Sequence, residues 1–253
     1  MKHLGLFEGI GGFSLAARWA GWETVAWCEW NPYCQQVLKH HFPDAEGHGD
    51  ITKTDFTKYA NRIDIVTGGF PCQKFSIAGS KTGDDTFIRE MLRAIGEIKP
   101  RWVVAENVSN ILNKKFQPYL DLFISGLEGF GYQEPVIFDC SADACNIPTM
   151  ERHVWFITEA NGKRPEGCIK KAVQTKPILQ GELQGGNQGG FGGWELPTSR
   201  VCSLGEGFPE RLDVGAISPS KWHGESLQAL GNAVVPQIPF EIFKVINQLN
   251  DTI

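Results

Sequence analysis

Several common features are missing from this chain of 253 residues, and each absence removes a class of protein. No apolar run approaches the roughly 20 residues that a membrane-spanning helix needs. The first residues lack the basic and then apolar pattern of a secretory signal, so we expect a cytoplasmic protein. The seven cysteines are odd in number and none forms a C-x-x-C pair. A disulfide framework and a zinc site of the usual spacing are therefore disfavoured, and we expect no bound metal.

An excess of basic residues is also lacking, since 24 Lys and Arg stand against 29 Asp and Glu. The formal net charge of −5 does not by itself indicate a protein that binds nucleic acid. Phosphate contacts, however, are made by local groups of Lys and Arg. The stretch between Lys163 and Lys176 holds five basic residues and a single acid, Glu166. Composition alone therefore leaves nucleic-acid binding open.

Short apolar runs alternate with helix-like stretches in the first 158 residues. The predicted strands are residues 3–6, 24–28, 63–67, 102–105, 135–139 and 153–158. The predicted helices between them are residues 13–20, 32–40, 87–98 and 120–128. This alternation predicts an α/β fold with a mostly parallel sheet that helices cover on both faces.

The alternation stops near Glu159, and seven of the thirteen residues from 181 to 193 are glycine. Regular patterns resume after about Ser220, with a stretch at 226–230, a turn at Gly231-Asn232 and a final helix at about 239–249. A glycine-rich stretch of this kind indicates loops rather than a strand or a helix. We therefore predict a main domain at 1–158, a small irregular lobe at 159–220 and a segment at 221–253 that returns to the main domain.

Three consecutive strand ends carry residues suited to a nucleoside-type cofactor. The first strand leads into Gly9-Ile10-Gly11-Gly12, a turn in which the backbone can approach a ligand closely. The second ends in Glu29, which is placed to accept hydrogen bonds from ribose hydroxyls, beside Trp30, whose ring can face an adenine. The third ends in Asp50. Core packing of Trp30 and helix capping by Asp50 are the alternative roles.

Two further strand ends carry groups that can react. The strand at 63–67 leads into Gly68-Gly69-Phe70-Pro71-Cys72-Gln73, so that a cysteine begins a loop behind a rigid proline. Loops at the carboxyl edge of a parallel sheet are where such folds do chemistry, and a thiolate is a nucleophile. The strand at 102–105 is followed by Glu106, whose buried carboxyl group would be able to donate a hydrogen bond or a proton. Capping of the next segment is the alternative role of Glu106.

These motifs occur in the order found in the cytosine-5 DNA methyltransferase family, which the chain resembles. The Pro-Cys-Gln motif followed at this distance by Glu-Asn-Val is the most specific part of the likeness. The likeness covers residues 1–158 and about 221–253. The motifs that carry it are Phe7 to Gly12, Glu29-Trp30, Pro71-Cys72-Gln73, Glu106-Asn107-Val108 and Gly231-Asn232-Ala233-Val234-Val235-Pro236.

The resemblance implies a Rossmann-like fold that uses S-adenosyl-L-methionine, with a small extra lobe that recognises the target. It implies that Glu29 takes the ribose of this cofactor, while Trp30 and Ile51 flank the adenine and Asp50 lies near its amino group. The full set of implied cofactor contacts is Phe7, Gly9, Gly11, Gly12, Glu29, Trp30, Asp50, Ile51, Phe87, Asn232 and Val234.

The resemblance also implies a reaction. Cys72 would attack carbon 6 of a cytosine flipped out of duplex DNA, and Glu106 would engage its N3. The methyl group would then pass to carbon 5, and loss of the C5 proton would release Cys72. The implied partner is double-stranded DNA, with no membrane involved. We expect a monomer, with any cognate restriction nuclease acting as a separate protein.

The likeness is imperfect after Pro148. The family has a Gln and a pair of Arg residues here, whereas this chain has Thr149, Glu151 and His153 at those positions. A shift of one residue would let Arg152 contact the cytosine, and this is the prediction we make. His153 is the alternative.

The lobe at 159–220 takes the place of the family's target-recognition domain. Its basic run is interpreted as a phosphate-contacting surface, with Gln184, Gln188 and Trp194 near bases. Because the lobe is small, the chain resembles phage or prophage orphan methyltransferases more than the enzymes that accompany restriction nucleases.

Two other functions stay open. A cytosine-5 methyltransferase acting on transfer RNA would keep the same Cys and Glu-Asn-Val motifs. A weakly catalytic regulator that binds DNA is favoured by the altered residues at 149–153, although the intact Pro71-Cys72-Gln73 argues against it. A nicotinamide-dependent dehydrogenase is disfavoured because Cys72 would have no role in it.

Overall fold

A sheet of seven strands organises the protein. A computed structural model describes residues 1–71, 85–141, 152–161 and 219–251. The strands are β1 Lys2–Leu6, β2 Glu23–Cys28, β3 Glu46–His48, β4 Ile65–Gly69, β5 Trp102–Val108, β6 Val136–Ser141 and β7 Arg152–Glu159. Their order across the sheet is β3-β2-β1-β4-β5-β7-β6. The pairings among β1 to β5 are parallel, and β7 runs antiparallel to both β5 and β6.

Helices cover both faces of this sheet. They are α1 Gly12–Trp19, α2 Pro32–His41, α3 Thr86–Ile98, α4 Gln117–Gly129, α5 Pro219–Gly231 and α6 Gln237–Asp251. Trp155 and Phe156 are consecutive in β7 and enter two separate apolar clusters, because successive side chains of a strand point to opposite faces. The Trp155 cluster includes residues of α1 and α6, and the Phe156 cluster includes residues of α3 and α4. The predicted α/β fold with a mostly parallel sheet is confirmed.

The start of α2 follows directly from the sequence. Asn31 is its N-cap, and the side-chain oxygen of Asn31 accepts hydrogen bonds from the backbone N–H groups of Tyr33 and Cys34. Pro32 occupies the first helical position, where its missing N–H costs nothing. The helix extends through His41, one residue beyond the predicted end.

The sheet reverses its direction of growth between β1 and β4. These two strands are parallel neighbours, and the chain builds outward from them on either side. The loops that leave the carboxyl ends of such strands diverge and open a crevice for ligands. β1 leads into the glycine turn that starts after Leu6, and Gly69 at the end of β4 lies opposite Glu106 of β5. The predicted cofactor turn and the predicted acid therefore lie at the same edge of the sheet.

The C-terminal helix α6 packs beside α1, next to the N-terminal strands. The rings of Trp22 and Phe243 stack with their centroids 4.4 Å apart. The indole N–H of Trp22 donates to the side-chain oxygen of Asn247 at 2.7 Å, and the Asn247 amide donates to the carbonyl of Ala20 at 3.1 Å. These contacts join the two ends of the chain in one core.

Strand β5 is longer than predicted. It continues past Ala105 to Val108, because the antiparallel strand β7 pairs with this extension. Glu106 lies opposite Trp155, and Val108 lies opposite His153.

The lobe predicted at 159–220 lies almost entirely outside the described residues, so its boundaries stay predictions. No helix in the described ranges is long and apolar enough to cross a bilayer.

Candidate active site at the carboxyl edge of the sheet

The turn after β1 has the backbone conformation of a ligand cradle. Phe7 has φ of 52°, Gly9 has φ of 57° and Gly11 has φ of 98°. A Cβ added at Gly9 would meet nothing within 4 Å, so the space beside this residue is open. A left-handed residue of this kind is best served by glycine. The turn therefore presents bare backbone to the crevice before α1 begins at Gly12.

Glu29 ties this turn to the end of β2. One carboxylate oxygen of Glu29 accepts the Gly9 N–H at 2.7 Å, and the other accepts the Asn31 N–H at 2.7 Å. Burial raises the pKa of Glu29, while the backbone hydrogen bonds oppose the rise. Each carboxylate oxygen has a second lone pair. Glu29 can therefore accept ligand hydroxyl groups while it holds the turn.

Trp30 and Asp50 extend this edge of the sheet. Trp30 is 72% exposed, so core packing is not its role and its ring is available to a planar ligand. One Asp50 oxygen accepts hydrogen bonds from the Thr52 N–H at 3.0 Å and the Thr52 hydroxyl at 2.7 Å, which lower the pKa of Asp50. Asp50 thus caps the short helical turn that follows, the alternative role considered for it. Ile51, the next residue, is buried.

Phe7, just before the glycine turn, contacts Phe87 of α3. Their rings meet edge to face, with centroids 5.8 Å apart. Phe87 belongs to the first turn of α3 and is 40% exposed. The contact brings the end of β1 and the start of α3 together, as a shared cofactor pocket would require.

The segment between α5 and α6 closes against the glycine turn. A Cβ at Gly12 would overlap the backbone carbonyl of Val234. The same Val234 side chain would lie 3.7 Å from a Cβ at Gly69. Val234 therefore lies against both the start of α1 and the end of β4, whereas Asn232 is exposed just after α5.

Glu106 is buried at the end of β5 and is 8% exposed. One of its carboxyl oxygens forms a hydrogen bond with Nδ1 of His153. The other faces β4, where a Cβ at Gly69 would stand 2.6 Å from it. A side chain at Gly69 would therefore displace the carboxyl group. Val108, not Glu106, precedes the next short helical turn as its N-cap, so a capping role for Glu106 is excluded.

Asn107 fastens the end of β4 to the end of β5. It is 1% exposed, and its side-chain N–H donates to the carbonyl of Phe70 at 3.0 Å. The backbone beyond Phe70 leads through Pro71 to Cys72, which lies outside the described residues. Sequence reasoning gave Asn107 no role, because its partner belongs to a distant strand end.

Arg152, the predicted cytosine contact, lies away from Glu106. Arg152 and His153 are consecutive in β7 and so point to opposite faces of the sheet. The guanidinium of Arg152 forms an ion pair with Asp139 at 3.0 Å, and the Arg152 side chain is 59% exposed. Thr149 and Glu151 lie outside the described residues. The structure thus brings His153, and not Arg152, to the buried carboxyl group.

Glu8 is a buried acid beside the glycine turn, and sequence reasoning gave it no role. It is 4% exposed, and one oxygen accepts the Ser14 N–H of α1 at 2.7 Å. Burial raises the pKa of Glu8 to about 7, although the hydrogen bonds from Ser14 oppose this. Its other oxygen has no hydrogen-bond partner among the described residues. The available signal was an acid placed inside a glycine turn.

The chain is similar in sequence to known proteins. A family model described as C-5 cytosine-specific DNA methylase matches residues 1–183. Type II methyltransferase M.PspPI of Psychrobacter sp. is 38% identical over 133 residues, which are 51% of this chain and 32% of that protein. Type II methyltransferase M.CviJI of Paramecium bursaria Chlorella virus IL3A is 35% identical over 185 residues, which are 69% of this chain and 47% of that protein. The two matches thus span 32% and 47% of these relatives' length.

A solved structure shares the fold. A protein described as a DNA modification methyltransferase, encoded within an E. coli prophage, superposes with a TM-score of 0.54 at 24% identity. The match covers 63% of this chain and 47% of that chain. Identity at this level shows the common fold, and the prophage-like character expected from the small lobe stays a prediction.

Proposed function

Since the chain belongs to the C-5 cytosine-specific DNA methylase family, we propose that it methylates carbon 5 of a flipped-out cytosine in duplex DNA. In this proposal Cys72 forms a covalent bond to the base, and S-adenosyl-L-methionine supplies the methyl group. Glu106 contacts N3 of the cytosine. The protein acts as a monomer, and any cognate restriction nuclease is a separate protein.

The observation that carries the proposal is the coupling of two strand ends. Glu106 is buried beside Gly69, and Asn107 holds the Phe70 carbonyl at 3.0 Å. Cys72 is the second residue after Phe70. The loop that carries Cys72 therefore begins at a backbone position that a hydrogen bond holds to the residue after Glu106. A nucleophile and an acid that act on neighbouring atoms of one ring need such a fixed relation.

The residues around the glycine turn fit the proposed cofactor. Open backbone at Gly9, acceptor lone pairs on Glu29 and the exposed ring of Trp30 suit a main-chain contact, a ribose and an adenine respectively. Phe7, Gly11, Gly12, Asp50, Ile51, Phe87, Asn232 and Val234 complete the proposed set. When bound, the sulfonium supplies an electrophilic methyl group.

The side chains of the protein would carry out the attack on the base and the proton transfers. Cys72, as thiolate, adds to carbon 6, and Glu106 provides a proton to N3 so that charge does not build up on the ring. The electron-rich carbon 5 then takes the methyl group. A base removes the C5 proton, the C5–C6 double bond re-forms, and the thiolate leaves as N3 returns its proton to Glu106. Extrusion of the base from the stack gives these groups access to it.

The lobe at 159–220 would supply target recognition. Its run of basic residues between Lys163 and Lys176 suits phosphate contacts, and Gln184, Gln188 and Trp194 suit contacts to bases. Recognition of a duplex would then depend on a lobe outside the catalytic sheet.

The test is to incubate purified protein with unmethylated plasmid and S-adenosylmethionine, and to map 5-methylcytosine by bisulfite sequencing. We expect methylation in one short sequence context. Cys72→Ala should abolish it, because the proposal assigns the nucleophile to Cys72 alone.

Absence of 5-methylcytosine, from folded protein that still binds the cofactor, would contradict the proposal. Transfer RNA would then be tried as the substrate. Methylation of that RNA would assign the RNA-directed function, and inactivity on both would favour the DNA-binding regulator.

A further inference from the structure

We propose that His153 is the positioning residue of Glu106 and that the pair shares the proton offered to the base. This inference rests on the proposed function, because it names the source of the proton for cytosine N3. Arg152 was predicted only as a contact to the cytosine, and it forms its ion pair with Asp139 instead of contacting Glu106. The observation that prompts it is the hydrogen bond between His153 Nδ1 and one Glu106 oxygen.

The register explains why these two side chains meet. In the antiparallel pair of β5 and β7, His153 lies opposite Val108, two residues beyond Glu106 on the same face. Such diagonal neighbours are within reach of long side chains. Glu106 is 8% exposed, and its second oxygen points toward Gly69 rather than toward His153. One oxygen is therefore held by His153, and the other is left for the reacting base.

The protonation of the pair sets its chemistry. With one proton on Nδ1, His153 donates to a charged carboxylate, and the free Glu106 oxygen can only accept. With one more proton the pair is an imidazolium beside a carboxylate, in exchange with a neutral imidazole beside a carboxylic acid. In the second form the free oxygen carries hydrogen and can give it to N3. N3 returns that proton when Cys72 leaves, so the cycle balances. Loss of the shared proton at high pH removes the donor.

The strand register gives titratable groups that face His153 from the neighbouring described strands. Glu106 faces it from β5, and Cys140 lies directly opposite it on β6. Arg152 and Asp139 form their ion pair on the other face of the sheet. Since an imidazole ordinarily titrates near neutrality, pH is the variable that the test changes.

The first arm of the test does not require activity. The ring 13Cε1 signal of His153, assigned by its loss in His153→Asn, is followed by NMR against pH in the free protein. We expect Glu106→Gln to lower the midpoint of this titration by about one pH unit, because the nearby negative charge is removed. Asp139→Asn, which changes an acid on the opposite face, should shift it much less.

The second arm measures the rate of methyl transfer to plasmid DNA against pH, with cofactor and DNA saturating. The wild-type rate should fall at high pH, as the pair in the complex loses its shared proton. His153→Ala should lower the rate roughly 100-fold with cofactor affinity unchanged. His153→Asn keeps a donor at the Nδ1 position, so it should recover at least about tenfold over His153→Ala and lose the pH-dependent limb. His40→Asn, an exposed histidine on α2, serves as the matched control.

The outcomes separate the two proposals. An inactive wild type with the expected NMR shift would overturn the proposed function and leave the pair intact. An active wild type would overturn the pairing if Glu106→Gln left the His153 midpoint unchanged. It would equally do so if the pH profile of His153→Asn matched the wild type. The pairing would also be overturned if His153→Ala weakened cofactor binding but left the rate at saturation unchanged.

Discussion

Gly12 shows how closely the chain's two ends approach at the proposed cofactor site. A Cβ added at Gly12 would overlap the backbone carbonyl oxygen of Val234. Because the obstacle is backbone, relief requires movement of the segment between α5 and α6. We expect Gly12→Ala to destabilise the protein by about 1–3 kcal/mol in urea unfolding and to weaken cofactor binding in calorimetry.

The matched control is Gly224→Ala. Gly224 is exposed in α5, and a Cβ there would meet nothing within 4 Å. Alanine in a helix is favoured over glycine by up to about 1 kcal/mol, so this variant should be neutral or more stable. A Gly12→Ala protein with wild-type stability and cofactor affinity would show that Val234 does not close the site.

Several residue roles were readable from the sequence, and others were not. Glu29 at the end of β2 was expected beside the glycine turn, and its carboxylate accepts the Gly9 N–H. The partnership of Glu106 with His153 was not readable, because the two residues are 47 positions apart and meet through strand pairing. The prediction for Arg152 came from matching this sequence to the family's Gln and Arg positions with a shift of one residue. The alternation of faces within β7 separates Arg152 from its neighbour and from Glu106.

At the scale of elements, His3 joins three neighbouring strands. It is fully buried on β1, with Nδ1 3.1 Å from the Thr24 hydroxyl of β2 and Nε2 2.7 Å from the Thr67 hydroxyl of β4. Burial lowers the pKa of His3 to about 3. The folded state therefore holds this imidazole neutral, while the unfolded chain protonates it below its ordinary pKa of about 6.5.

This linkage predicts a loss of stability in acid. The contribution of His3 is present above pH 6.5 and is lost as the pH falls from there toward 3. Between pH 7 and pH 5, the free energy of unfolding of the wild type should fall by about 2 kcal/mol more than that of His3→Gln. Urea unfolding of both proteins measures this difference, from which contributions that they share cancel. Parallel pH dependence in the two proteins would contradict the assignment.

Local signals predicted the elements better than their arrangement. Asn31 and Pro32 mark the start of α2, since capping depends on residues close in sequence. The end of β5 was misplaced at Ala105, because its extension is paired with a strand about 50 residues later in the chain. The antiparallel direction of β7 and the strand order likewise depend on distant pairing, which no local pattern records.

At the scale of the whole molecule, α6 belongs to the core that the N-terminal strands build. Phe243 is fully buried and stacks on Trp22. Removal of such a ring leaves a cavity, so Phe243→Ala should lower the free energy of unfolding by about 3–5 kcal/mol. Val245→Ala, on the same helix but 48% exposed, should change it by less than about 0.5 kcal/mol. Equal effects of the two variants in urea unfolding would contradict the shared core.

The central claim, that Cys72 bonds to cytosine within this site, is tested most directly by trapping the adduct. The protein is incubated with S-adenosylmethionine and duplex DNA in which 5-fluorocytosine replaces cytosine. Fluorine at carbon 5 cannot leave as a proton does, so the bond to sulfur should persist. We predict a complex that survives denaturation, with the base mapped to Cys72 by peptide mass spectrometry and no complex from Cys72→Ala. The absence of an adduct from cofactor-competent protein that methylates ordinary DNA, or an adduct mapped to another residue, would contradict the claim.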